Sequence, residues 1–113
     1  MEIAVNGTLM RGFKNNEILI QHGGRFITET TTAPCYRLWS IRDDHPGMLR
    51  ATSDGQKITL EIWEIPDAEL SEVLKTEPKG LTLGRILLGS GEEVFGILAE
   101  AYLVQNCREI TQY

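Results

Sequence analysis

The chain has 113 residues, 42% hydrophobic and 24% charged, with a net charge of −5. That length fits a single domain, residues 1–113, with a core that needs no staples. The acidic balance, with no basic run carrying interleaved aromatics, argues against nucleic acid and anionic membrane surfaces as partners, and no apolar stretch nears the roughly 20 residues that cross a bilayer. The N-terminus has neither a basic region nor a long apolar run, so no secretory signal is expected. Cys35 and Cys107 make no CxxC and no disulfide framework, which points to a reduced, cytoplasmic protein. No cofactor or metal is called for.

In chain order, the apolar lead-in IAV runs into VNGTLMRG, Val5 to Gly12, with a tight turn at Gly7-Thr8. Consecutive N–H groups in a glycine turn can form an anion nest; the plainer reading is a corner of a β-fold. NNEILIQHGG predicts a helix of about two turns, with an Asn cap and a Gly stop. GRFITETTT and CYRLWSI predict strands separated at Pro34, and RDDHPG is a turn cluster. MLRATSDGQKITLEIWEI reads as a hairpin around Asp54-Gly55, the strongest short turn signal in the chain. Its second arm is apolar on both faces, as in a central strand. PDAELSEVLKTEP predicts a helix capped by Asp67, with Leu70, Val73 and Leu74 as its apolar stripe. LTLGRILLGSGEEVFGILAEAYLV predicts a second long hairpin around GSGE, and NCREITQY a short strand or irregular tail. The sum is α+β: a small mixed β-barrel, closed or nearly so, of about six or seven strands with one or two short helices.

Several of these segments resemble one family together. VNGTLMRG resembles the YGTLMRG or YGSL signature of the γ-glutamylcyclotransferase-like superfamily. TTAPCYRLWSI is similar to the TAPxYRLY segment of one branch, the C-terminal domain of allophanate hydrolase. HPGMLRATSDGQKITLEIWEIP, EPKGLTLGRILLGSGEEVFGILAE and REITQY follow that branch's later segments in the same order, over nearly the whole chain. The resemblance implies a small β-barrel whose cavity opens beside the first motif. There the backbone amides of the Asn6, Gly7, Thr8, Leu9 and Met10 loop would bind a substrate carboxylate. It also implies a partner, because in allophanate hydrolase the domain is tethered to an amidase with a Ser-Ser-Lys triad, none of which is present here. Two departures stand out: Asn6 replaces the family's aromatic residue, and the sequence stops at Tyr113, before the family's GGW extension.

Cyclotransferases carry a catalytic carboxylate after the strand GELYxLP, and ITLEIWEIPDAELSEVLKTEP aligns with that stretch so that the glutamate falls on Glu77. Such a glutamate would move a proton from the attacking amine to the leaving amine, which needs a pocket and a pKa raised by burial. The plainer reading is a solvated glutamate at a helix end. Glu100, in the apolar run FGILAEAYLV, is the second catalytic candidate and faces either solvent or a barrel interior. Glu61 reads as a hydrogen bond across the barrel. Tyr36 is expected to line the cavity with its hydroxyl, Thr8 to offer its own to a bound carboxylate, and Arg11 to lie at the surface. A Cys35–His45 pair, with Asp43 or Asp44 as orienter, is a weaker reading. A zinc site from His22, His45, Cys35 and Cys107 has no supporting spacing.

The function expected is an enzyme of a small carboxylated amide or carbamate, working by carboxylate acid–base chemistry. The alternative is a non-catalytic metabolite-binding or assembly module that partners an amidase or allophanate hydrolase. A homodimer through the aliphatic LTLGRILL edge is a further possibility.

Overall fold

A computed structural model describes residues 1–112; Tyr113, which closes the REITQY segment, lies outside the described residues. Eight strands form two sheets. The first sheet contains β1 (Glu2–Val5), β2 (Arg25–Thr31), β5 (Thr59–Glu64), β6 (Leu81–Leu87) and β7 (Glu93–Ala99), in the order β2-β5-β1-β7-β6. All its pairs are antiparallel except β1–β7. The second contains β3 (Tyr36–Ile41), β4 (His45–Arg50) and β8 (Arg108–Glu109), in the order β4-β3-β8. Two helices, α1 (Asn16–Gln21) and α2 (Asp67–Lys75), and two 3₁₀ turns, Gly7–Leu9 and Ala101–Val104, complete the fold. The α+β class stands, with eight strands rather than six or seven. The barrel does not close: the ends of β2 and β6 meet only through the Thr32–Leu88 bridge and the flanking bonds Ala33 N–H to Leu87 O and Gly89 N–H to Thr31 O.

The central position expected of ITLEIWEI holds: β5 lies between β2 and β1 and buries both faces. Leu60 and Ile62 join Tyr36, Leu38 and Met48 in a core between the sheets. Trp63 joins Ile3, Val5, Leu19 and Val73 in a second core beneath the helices. Each buried aliphatic side chain of this kind is worth about 2 kcal/mol relative to exposure.

Four expectations are corrected. The Asp54-Gly55 turn does not join two paired strands: β4 pairs with β3, β5 pairs with β2 and β1, and residues 51–58 cross between the sheets. Gly55 is there for close approach, since a Cβ on it would lie 2.5 Å from Cys35 Cα. Pro46, expected in a turn, is inside β4; it is tolerated because β4 is an edge strand and needs no outward donor. The strand expected through FGILAEAYLV ends at Ala99, and the chain turns into the 3₁₀ segment after Glu100. The cap of α2 is Pro66 rather than Asp67.

Candidate functional site

Three segments far apart in sequence converge beside the first turn. After β1 the chain enters the 3₁₀ turn Gly7–Leu9, closed by Met10 N–H donating to Gly7 O at 3.1 Å. Gly7 has φ +63°, and a Cβ on it would lie 2.3 Å from Pro46 Cγ. The glycine is therefore needed twice, for the left-handed turn and for close packing on β4. Its bare face is spent on Pro46, not on a ligand. Asn15 steadies the turn from the other side: its N–H donates to Thr8 O at 2.9 Å, and its Nδ2 to Thr8 Oγ1 at 3.0 Å. The Thr8 hydroxyl hydrogen is left for another acceptor.

The second segment is the start of β4. His45 is nearly buried, with a side chain 9% exposed, and its Nδ1 lies 3.0 Å from Asp44 Oδ2. A carboxylate only accepts, so Nδ1 carries the hydrogen, and Nε2 accepts whenever the ring is neutral. Asp44 is also paired with Lys14; the Lys14 and His45 hydrogen bonds hold its carboxyl below the usual range. The third segment follows α2. There Glu77 sits between Thr76 and Pro78, and burial alone pushes its carboxyl from 4.5 up to about 7.

Glu77 and His45 line one small cavity of about 20 Å³, together with Asn6, Thr8, Leu9, Asn15, Pro46, Pro78, Leu81 and Ile97. Among the described residues, Glu77 Oε1 and His45 Nε2 are the two buried side-chain polar atoms without a hydrogen-bond partner. Buried polar atoms are ordinarily paired, and an orphan costs about 1–3 kcal/mol. Both orphans border the same space, which has room for about one water-sized group. Larger grooves adjoin on either side. One, of about 630 Å³, shares Asn6 and Pro46 with the cavity and adds Gly7, Met10 and Phe13. Another, of about 210 Å³, shares His45 and Pro78.

The far end of the loop is locked to β5. Glu61 is 2% exposed and accepts from Arg11 N–H (2.9 Å), Arg11 Nε (3.1 Å) and Trp63 Nε1 (3.1 Å). Burial pushes this carboxyl up, but the Arg11 and Trp63 donors outweigh it and hold it below its ordinary value. Arg11 also lies over the Phe26 ring at 3.6 Å. Glu61 thus fastens β5 to the loop after the first turn rather than bonding across a barrel, and Arg11, half-exposed, is more than a surface residue.

Of the residues expected from sequence, Asn6, Thr8, Leu9 and Glu77 share the cavity, and Asn6, Gly7 and Met10 face the larger groove. Tyr36 lies outside it: the residue is wholly buried and its hydroxyl accepts from Leu87 N–H at 2.9 Å, tying β3 to β6. Glu100 is exposed at the end of β7 and lines none of these spaces. Cys35 and His45 sit at opposite ends of the β3–β4 hairpin, where Tyr36 pairs with Arg50 and Ile41 with His45. Five residues of strand separate them by roughly 17 Å, so they form no nucleophile–base pair. Among the described residues no group of three or more His, Cys, Asp or Glu is arranged to hold a metal ion. His45 is the residue that sequence reasoning underrated. Its one signal in the sequence is the neighbouring Asp44, which with Asp43 is an orienter for His45 as the base of a Cys35 nucleophile.

The two-sheet arrangement, with the glycine turn after the first strand, is a fold shared with an AIG2-like protein from Mus musculus at a TM-score of 0.71 and 20% identity, over 99% of this chain and 86% of its own. The family model of the allophanate hydrolase C-terminal domain matches residues 1–113. The chain belongs to that family. The crystal structure of c4763, a uropathogenic E. coli-specific protein, superposes with a TM-score of 0.95 at 48% identity, covering 98% of this chain and 87% of that one. Allophanate hydrolase of Kluyveromyces lactis superposes at 0.93 with 24% identity, over 99% of this chain and 19% of that one. Urea amidolyase of Saccharomyces cerevisiae is 25% identical over 120 residues. The match takes in 100% of this chain but only 6% of that protein, so the same domain occurs there as a small part of a much longer enzyme. No helix among the described residues is long and apolar enough to cross a membrane.

Proposed function

We propose that this domain acts on a small carboxylated amide or carbamate by carboxylate acid–base chemistry, with Glu77 as the group that moves the proton. The observation that carries this reading is the convergence of two orphaned buried polar atoms, Glu77 Oε1 and His45 Nε2, on the cavity beside the Asn6–Met10 turn. A carboxyl titrating near 7 is poised to give and take a proton at neutral pH. His45, oriented by Asp44, supplies the complementary acceptor. The substrate's carboxylate rests on the N–H groups that open the 3₁₀ turn, which have no acceptor within it. Its body fills the 630 Å³ groove, and its reacting atom reaches past Asn6 and Pro46 to the pair. Replacement of the family aromatic by Asn6, whose Nδ2 reaches Met48 Sδ at 3.5 Å, makes that entrance amide-lined. Cys35 and Cys107 are free thiols, in keeping with work in the cytoplasm.

The test is to incubate the protein with allophanate and with a set of γ-glutamyl amides, and to follow consumption by NMR. Turnover by the native chain is expected to fall by about 100-fold or more in Glu77→Gln, the usual scale for a general acid–base group. Unchanged turnover in that variant would end the role. A second reading has its own support. The cavity around Glu77 is only about 20 Å³, and the domain occurs within urea amidolyase. Both favour a non-catalytic module that binds a metabolite and partners an amidase. Pull-down by a purified amidase, unaffected by Glu77→Gln, would favour it. Homodimer formation would use β6, an edge strand whose Leu81–Arg85 half lies clear of the β2 junction.

A further inference from the structure

Glu77 Oε1 and His45 Nε2 border one cavity, and neither has a hydrogen-bond partner among the described residues, the other included. With Glu77 ionised and the imidazole neutral, both atoms only accept, so they cannot satisfy one another. Whatever lies between them must offer two hydrogens. The cavity, of about 20 Å³, admits one water and little else.

A third polar group lines the same space. Thr8 Oγ1 accepts from Asn15 Nδ2 at 3.0 Å, which leaves the hydroxyl hydrogen to be donated. A water that donates to Glu77 and His45 and accepts from Thr8 makes the three bonds usual for a buried water. All three groups sit on backbone or side chains that are themselves held. Asn15 fixes Thr8 a second time, its N–H donating to Thr8 O at 2.9 Å. His45, with a side chain only 9% exposed, has Nδ1 3.0 Å from Asp44 Oδ2, and Asp44 is paired with Lys14. That contact keeps the ring hydrogen on Nδ1 and leaves the Nε2 lone pair for the cavity. Among the described residues no charged group other than Glu77 and His45 lines the cavity.

We propose that Glu77, His45 and Thr8 bind a single water, and that this water carries a proton between Glu77 and His45. This deepens the reading in which Glu77 moves the proton, by naming where the proton goes. Protonated Glu77 gives its hydrogen to the water as the water gives one of its own to His45 Nε2. The carboxyl O–H bond breaks, an N–H bond forms, and the water is left unchanged. The products are a carboxylate and an imidazolium that faces the Asp44 carboxylate. Arg42, Lys79 and Tyr102 line the groove on the other side of His45, so the two cations oppose a charge on the ring while Asp44 favours it. Thr8, Asp44 and Lys14 are positioning residues.

The test uses the full chain. A high-resolution crystal structure of the native protein is expected to show one water within about 2.7–3.2 Å of Glu77 Oε1, His45 Nε2 and Thr8 Oγ1. NMR then follows Glu77 by ¹³C and His45 by ¹⁵N as pH is raised. The neutral ring is expected to carry its hydrogen on Nδ1, and the curve of each group to show the titration of the other. Thr8→Val keeps the side-chain shape and removes the hydroxyl, so it should loosen the water and raise the Glu77 midpoint by about half a pH unit. Thr8→Ser should restore the native midpoint. Asp44, 52% exposed, can be replaced without disturbing the core. In Asp44→Asn the new amide can donate to Nδ1, so the ring hydrogen should move to Nε2 and the two titrations should separate. A cavity without water density would overturn the proposal, as would independent titrations in the native chain that Thr8→Val leaves in place. A direct Glu77–His45 bond in the crystal would also overturn it, and leave Glu77 as the proton-moving group. Unchanged turnover in Glu77→Gln, with the water in place and the titrations linked, would end the catalytic reading and leave the relay standing.

Discussion

Glu77 burdens the folded state whenever its carboxylate is charged. Its carboxyl is raised from 4.5 to about 7 by burial. Between those values the folded chain holds a proton that the unfolded chain has lost, so stability falls as pH rises. The contribution is fully present below 4.5 and gone above about 7. Glu77→Gln is therefore expected to be more stable than the native chain at pH 8, by about 2–3 kcal/mol, and near parity at pH 4.5. Urea denaturation at the two values checks the sign; a variant equally destabilised at both would contradict it. Glu61 shows what decides such cases. It is more deeply buried than Glu77, yet three donors hold its carboxyl low, and it serves as a fastening. Glu77 has burial without donors, the combination expected of a group kept for proton transfer. Only Trp63, two residues along the same strand, is local to Glu61; the two Arg11 donors come from 50 residues away, and no sequence pattern announces them.

The elements differ in how clearly the sequence announces them. The β6–β7 hairpin is legible because alternation and the GSGE turn agree, and α2 because Leu70, Val73 and Leu74 fall on one face. The Asp54-Gly55 signal misleads because a turn preference is local, whereas the choice of strand partner belongs to the sheet. The actual hairpin turns at Arg42-Asp43, a pair that carries no Asn-Gly signature. The 3₁₀ turn at Gly7 answers to both the corner and the cradle. Its φ of +63° and its fit against Pro46 make it a corner, and the same fit sets the turn beside His45. Gly7→Ala should suffer both left-handed strain and overpacking, for a loss of about 2–4 kcal/mol. Thermal melting checks it; an unchanged melting temperature would mean that Pro46 moves freely and that the turn is not pinned.

At the scale of the molecule, the site exists only because the sheets meet. The turn after β1, the start of β4 and the loop after α2 are separated by some 30 residues each and share no local pattern. Ordered motifs pointed to Asn6–Met10 and Glu77, since a resemblance carries positions without needing their geometry. They did not point to His45, whose importance lies in what it faces. They also misplaced Tyr36 and Glu100, because a cavity's wall is set by which face of a strand the packing buries and by where a strand ends. The second sheet is tied down from its far edge: Arg37 and Thr111 hydrogen bond to Glu109 and bring its carboxyl down to about 2, while Ile110 N–H donates to Leu38 O at 2.8 Å. That fastening keeps β3 and β4 in place, and with them His45.

The proposed chemistry depends on Glu77 being a buried, unpartnered carboxyl that shares its cavity with His45. The measurement that meets it most directly is the titration of the Glu77 side-chain carbon by ¹³C NMR, in the native chain and in His45→Gln. A midpoint of about 7 is expected in the native chain, with burial as its cause, and a displaced midpoint once the imidazole is gone. A midpoint near the ordinary 4.5, unmoved by His45→Gln, would place Glu77 in solvent and end its role in proton transfer.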